Sequence, residues 1–456
     1  MAPKASNQSA NGKIMKAASL SCLAILCATS ACIDTAQADT AFSTQSRWMT
    51  GDWNGVRQAW LDSGIDIKLG YTGETGTLMH GGYRADHPTR YTDQFSIGAD
   101  INLQKLYGWK DTAFSVLITN RNGDTLDDDL NDPRASGMGS VQEIHGRGSA
   151  TRLSELWMSK GWFDGALDIK LGRMAAADDF ATEECRFQNV AFCGSQPGNY
   201  VNTIYNGPIS SWGGRVQYRL LPGLLAQVGA YNINPSTLEN GNGFKLDTAG
   251  TSGTLLPVEA VWRLSINKLP GEYRLGYFTS TAAVPDLYAD DTGQAAAISA
   301  NDYRSHGRRH GWWIIGKQQL TNVGADSQRG LSLTTSATFQ DRATTAVGSY
   351  QKVSLNYVGP FDARPRDELG FGIARMQVSK GLRRNADAAN DSSGLSYEDA
   401  GYVPVQHSQV QAELHYRIQA TGWLSLMPNL QYVKDPAGVR EVANAWVFGL
   451  QAQSQF

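Results

Sequence analysis

Gln409-Val-Gln-Ala-Glu-Leu-His-Tyr-Arg-Ile418 is the stretch from which the rest of the chain can be read. Its even positions are apolar or aromatic (Val410, Ala412, Leu414, Tyr416, Ile418), and its odd positions are polar (Gln409, Gln411, Glu413, His415, Arg417). Strict period two marks a strand with one apolar and one polar face, whereas a helix would scatter both sets around its axis. Past Gln419-Ala-Thr-Gly422 the pattern resumes, with Leu424, Leu426, Leu430 and Tyr432 opposite Ser425, Asn429 and Gln431. Further upstream, Ile67, Leu69 and Tyr71 oppose Lys68, Gly70, Thr72 and Glu74, and Phe95, Ile97, Ala99, Ile101 and Leu103 oppose Ser96, Gly98, Asp100 and Asn102. Similar runs at 256–264 and 331–339 bring the total to about 16 segments, each near the ~9–11 residues a tilted membrane strand needs.

The composition permits that reading and excludes others. The 456 residues carry 41% hydrophobic and 18% charged side chains, with 48 Gly, 12 Trp, 18 Tyr and 14 Phe. So much ring surface needs somewhere to bury, which excludes a disordered chain. A formal charge of -3 argues against a nucleic-acid partner, whose binding domains are usually strongly basic. The mean hydropathy of -0.35, with no long apolar run in the body, excludes a helical membrane protein. Alternating strands average out to polar, so a membrane barrel remains.

The links between strands alternate in length. Short ones at 104–111, 161–165, 221–223, 265–270, 359–366 and 419–422 interleave with long ones at 75–93, 122–152, 174–212, 233–255, 279–311 and 378–406. Short turns on one side and long loops on the other are the layout of an outer-membrane barrel. The link 341–349 is shorter than its place in the series predicts. The long loops are rich in Asp, Asn, Gly and Ser, as in Asn385–Gly394, which suits water exposure. At the C-terminus Trp446, Phe448, Leu450, Ala452 and Phe456 share one face. A terminal aromatic on an alternating strand suits recognition of Phe456 by barrel-assembly machinery.

Residues 1–38 read as a signal peptide, with Lys4, Lys13 and Lys16 ahead of an apolar run and Ala36-Gln37-Ala38 as the cleavage motif. An anchor helix fits less well because the run is short. Cleavage would remove three Lys and Asp34, taking the formal charge from -3 to -5. It would leave Cys185 and Cys193 as the cysteines of the exported chain. A disulfide is the natural reading of an even pair in an oxidising compartment; two free thiols or half a metal site are the alternatives, with no His at ligand spacing. Residues 39–64 read as a periplasmic segment with a short amphipathic helix, placing Trp53, Val56, Trp60 and Leu61 at helical spacing ahead of Gly64. The barrel then occupies 65–456. The expected fold is therefore all-β, a transmembrane antiparallel β-barrel of about 16 strands with a short N-terminal periplasmic helix.

The stretch 50–74, Thr-Gly-Asp-Trp-Asn-Gly-Val-Arg through Gly-Tyr-Thr-Gly-Glu, resembles the opening of the carbohydrate-selective porins of the OprB family. Residues 103–109, 151–180 and 413–438 resemble three further family blocks in the family's order. Asn54, where the family usually has Gly, and the Cys185/Cys193 loop depart from it. The resemblance implies a porin passing glucose and related sugars by diffusion, with no cofactor and no catalysis. Its partners would be the sugars and outer-membrane lipid, with a homo-oligomer left open.

A neutral polyol entering a pore must exchange hydration for donors and acceptors on the wall, and binding must stay weak enough to release. Inward polar positions near mid-strand are the candidates: Glu74, Lys68, Arg215, Arg219, Glu259, Arg263, Glu413, His415 and Arg417. Charged side chains cannot comfortably face lipid, where mid-membrane Arg or Lys costs ~2–4 kcal/mol. Each could equally be plain solvated lumen wall; Glu74 also matches the family's first-strand Glu. Arg84, Arg90 and Arg121 could fold inward from loops. His306 and His310 have helical metal-ligand spacing but lie in a polar stretch, and Asp127-Asp128-Asp129 reads as a solvated acidic tip. A general or differently selective porin (polyols, sugar acids) is the alternative reading. The rival from another class, a secreted all-β carbohydrate hydrolase, would want paired catalytic carboxylates, and none stands out.

Overall fold

The computed structural model describes residues 39–324, 326 and 328–456, so the signal-peptide reading of 1–38 lies outside the described residues. The strands are β1 (Ile65–Gly82), β2 (Thr89–Asn102), β3 (Thr112–Gly123), β4 (Thr151–Trp162), β5 (Leu167–Met174) and β6 (Ser211–Leu221). They continue as β7 (Leu224–Ile233), β8 (Gly253–Ile266), β9 (Leu269–Ser280), β10 (Val284–Asp290), β11 (Tyr303–His306) and β12 (Arg309–Gln319). The last six are β13 (Gly330–Gln340), β14 (Val347–Val358), β15 (Glu368–Val378), β16 (Ser408–Gln419), β17 (Leu424–Lys434) and β18 (Ala443–Gln455). β10 and β11 form a separate hairpin inside the link from β9 to β12, and the other 16 close into one antiparallel barrel, sealed by β1 against β18.

The two faces of the barrel invert the rule for water-soluble sheets. In β16, Gln409, Gln411, Glu413 and His415 are buried, while the apolar neighbour Leu414 is 48% exposed. Ile97, Leu171, Leu275, Ile314, Phe371 and Ile373 likewise sit on the outside, uncovered by protein. An apolar exterior this extensive is stable only in hydrocarbon, and a closed barrel leaves no unpaired strand edge there.

Two links differ from expectation. The link 75–93 is a hairpin whose strands run on to Gly82 and from Thr89, leaving a connection of 83–88. The extension holds because Leu78 packs against Leu126, Leu130 and Val141 of the 124–150 loop, while Arg90 pairs with Asp129 at 2.6 Å. Asp129 is therefore buried, contrary to a solvated acidic tip. Residues 385–393 fall in the helix Lys380–Ser393, which is capped by Gly394 in the left-handed region (φ 69°). Asn390 fixes that helix by exchanging hydrogen bonds with the backbone of Val403. Its Asn and Asp content hid a helix that the interleaved alanines support. The short link 341–346 is as anticipated.

At the short-turn end, helix Val56–Ser63 is framed by Gly55 and Gly64, both at positive φ. Its buried residue is Arg57; Val56 and Trp60 stay exposed, so the aromatic stripe is not the packing face. The Arg57 guanidinium lies over Trp48 (4.3 Å) and donates to the carbonyls of Ile67 (2.8 Å) and Phe456. Phe456 in turn donates its N–H to Leu69 (2.9 Å). One cation thus ties the first strand, the last residue and the N-terminal segment together at the seam.

A charge placed on the lipid face tests the orientation. Leu414→Arg is expected to lower unfolding stability in bilayers by ~2–4 kcal/mol, measured by urea titration, whereas the polar substitution Leu414→Asn costs less.

Candidate functional site

Two links, 124–150 and 175–210, fold back into the lumen, and the inward carboxylates hold them there. Glu413 accepts from the backbone N–H groups of Gln188 (3.1 Å) and Asn189 (2.8 Å). Glu259 accepts from Ala181 N–H (2.9 Å), Trp313 Nε1 (2.7 Å), Gln227 (2.9 Å) and Arg274 (3.0 Å). Glu74 accepts from Gln451 (2.7 Å) and, more weakly, from Ile144 N–H (3.4 Å). Arg417 reaches the loop from the other side, donating to the carbonyl of Arg186 (2.9 Å) and to Gln453 (2.9 Å). Arg121 donates to the carbonyl of Gly146 (2.6 Å) and so holds the 124–150 loop.

These contacts revise the sequence-based candidates. Glu74, Glu259, Glu413 and His415 lie buried between wall and loop, not on open lumen. Period two reveals which face a side chain occupies, and it carries no information about what later covers that face. His415 sits 3.5 Å from both Glu368 and Glu413, edge-on to Phe187. Arg215 pairs with Asp168 and approaches Asp179 (3.6 Å), which also takes Lys170 at 3.1 Å. Lys68 pairs with Asp100 at the inner wall. Arg219 is exposed near the short-turn end, donating to the Asp164 carbonyl (3.1 Å). Of the nine, Arg263 borders a cavity between the 175–210 loop and the wall.

Cys185 and Cys193 are joined in a disulfide that closes an eight-residue step within the 175–210 loop. Inside it, Asn189 caps the turn Val190–Phe192, and Phe187 packs against Phe192 at 4.8 Å. Glu143 also lies near the sulfurs, but both are spent in the disulfide, so this is no metal site. His306 pairs with Asp286 (2.8 Å) while His310 stacks near Tyr277, so the two imidazoles do not converge.

Between this loop and the wall of β8, β9 and β12–β14 lies an opening of about 800 Å³. Its charges come in rows. Glu184 bridges Arg186 (2.9 Å) and Lys317 (3.1 Å), Glu183 takes Lys352 (2.6 Å), and Glu272 takes Arg263 (2.7 Å) and Arg274 (2.8 Å). Glu184 and Lys317 are half exposed to the opening, whereas Lys352 and Glu183 are buried. Partial burial pushes the Glu184 carboxyl up, but Arg186 and Lys317 outweigh it and hold it below the ordinary carboxylate range. It therefore stays ionised at neutral pH. Alternating carboxylates and cations can exchange hydrogen bonds with adjacent hydroxyls, and their mutual pairing keeps any one contact weak.

Glu183, Glu184, Arg186, Lys317, Lys352 and Arg274 were not among the sequence candidates. In β12 the inward positions include Trp313 and Ile315, which pack on the loop and blur the alternation that would have exposed Lys317. The loop acids carry no periodic signal at all.

Residues 86–456 match the family model described as carbohydrate-selective porin, OprB family. The chain belongs to this family. It is 48% identical over 426 residues to Porin B of Pseudomonas aeruginosa, covering 92% of this chain and 94% of that protein. A putative porin QuiX of Acinetobacter baylyi is 38% identical over 430 residues, 92% of this chain and 95% of the relative. The solved high-pH structure of Pseudomonas putida OprB superposes with a TM-score of 0.90 at 49% identity, covering 91% of this chain and 100% of that one. Membership of the OprB family makes the chain an outer-membrane channel rather than an enzyme, and the buried carboxylates are loop fasteners rather than a hydrolytic pair.

Hydrogen bonds to a charged acceptor are each worth ~1.5–3 kcal/mol, so Glu413→Ala should free the 186–190 segment. Single-channel recording is expected to show a larger and noisier conductance; a trace identical to the parent would mean the loop is held without Glu413.

Proposed function

We propose that this porin passes glucose and related neutral sugars across the outer membrane into the periplasm by diffusion, without energy input. The observation that carries the reading is the opening between the 175–210 loop and the wall, lined by paired, partly exposed charges. Its size falls among small-molecule sites, which run to ~300–1,000 Å³. The half-exposed Glu184–Lys317 pair can open to a passing hydroxyl and close behind it, because exposed pairs are worth only ~0.2–1 kcal/mol. Lys68, Arg215 and Arg219 belong in this reading to the polar approaches, and Arg263 to the opening itself. Phe456, at the end of β18, is the proposed handle for barrel-assembly machinery.

Liposome swelling tests the reading. Glucose is expected to enter much faster than non-sugars of matched size, and Lys317→Ala or Glu184→Gln should cut that advantage by up to about fivefold. Rates that follow size alone in the parent protein would make it a general diffusion pore.

A further inference from the structure

On the far side of the barrel from the charged opening, the inner wall of β1, β2, β17 and β18 forms a recess of about 490 Å³ at the short-turn end. None of its lining residues is an acid, a base or a histidine, in a lumen otherwise crowded with ion pairs. Small side chains hollow it out. A Cβ on Gly70 would meet Ser96 Oγ at 2.8 Å, so glycine is what lets the two strands leave this space. Gln94, Gln453 and Gln455 project amides into it, beside the hydroxyls of Thr72 and Ser425.

Much of this hydrogen-bonding capacity is unspent. Gln94 uses its carbonyl oxygen for Arg121 Nε (2.7 Å), and Gln453 uses its own for Arg417 (2.9 Å). Their NH₂ groups, the Gln455 amide and the hydroxyls of Thr72 and Ser425 take no protein partner among the described residues. At the edge stands Trp423, whose indole is held rigidly: Nε1 donates to the Ser43 carbonyl (3.1 Å), and Phe42 packs edge-on at 6.3 Å. Gly422 donates its N–H to the Thr44 carbonyl (2.9 Å), so the N-terminal segment 42–46 fixes this corner from below.

We propose that this recess is a second station for a neutral pyranose, separate from the charged opening. An aromatic ring offers cover for the C–H face of a sugar, and amides offer both donors and acceptors to its hydroxyls. A lining without a charged side chain fits an uncharged ligand, since no lining ion has to be stripped of water when the sugar docks. Two weak stations divide the loss of hydration into smaller steps, which is what conduction requires of a selective pore. The inference rests on the reading that sugars pass through this channel.

Glucose-induced current noise in planar bilayers, with sugar added to one side at a time, tests it. Gln453→Leu combined with Gln455→Leu should slow glucose association from the short-turn side by about threefold or more, leaving association from the long-loop side unchanged. Thr72→Val with Ser425→Ala, which disturbs packing less, should act in the same direction. Heat-modifiable gel migration checks that both variants fold. Variants whose rates match the parent from the short-turn side, or fall equally from both sides, overturn the second station while leaving sugar passage intact. A parent channel that glucose does not block from either side overturns sugar passage and the station together.

Discussion

Backbone N–H groups of an infolded loop bonded to carboxylates of the barrel wall are the interaction on which the functional architecture depends. A 16-stranded barrel left to itself encloses a wide aqueous lumen. Here Glu413 takes two successive loop N–H groups, and Glu259 takes a third together with an indole N–H. Those bonds draw the 175–210 loop against the wall and leave the opening on one side. The cost of burying the carboxylates is offset because each finds several donors, the condition under which a buried charge is tolerated.

Hydrocarbon imposes the other constraint. Every backbone group at membrane depth must find a partner inside the protein, so the strands must close, and the seam between β1 and β18 has to hold. Arg57 contributes at that seam by joining the carbonyls of Ile67 and Phe456 while stacking on Trp48. The closed wall then serves as scaffold for the side chains that point inward and for the loops they capture. The lumen is divided as a result: ion pairs face the loop on the β8–β14 side, and neutral amides line the β17–β2 side.

Much of the barrel was legible in local pattern, because period two reports a side chain's face directly. β16 is the clearest case, where Gln409, Gln411, Glu413, His415 and Arg417 read as inward and Leu414 as outward. β12 shows where the method fails: Trp313 and Ile315 point inward yet are apolar, since they pack on the loop instead of meeting water. The helix Lys380–Ser393 was hidden for a related reason, its Asn and Asp residues favouring turns until Asn390 found the Val403 backbone.

The sequence by itself determined the antiparallel barrel, the inward face of strands such as β16 and the cysteine pair, since alternation, link lengths and residue counts are properties of neighbours along the chain. Tertiary structure alone decided which charges lie beneath loops and which line the opening. Glu74, Glu259 and Glu413 became fasteners beneath loops, while Glu184 of the loop and Lys317 of the wall came to face the opening. The physical reason is distance along the chain. Lys317 and Glu184 lie 133 residues apart, and no local periodicity can report a partner that only the folded loop brings within 3.1 Å.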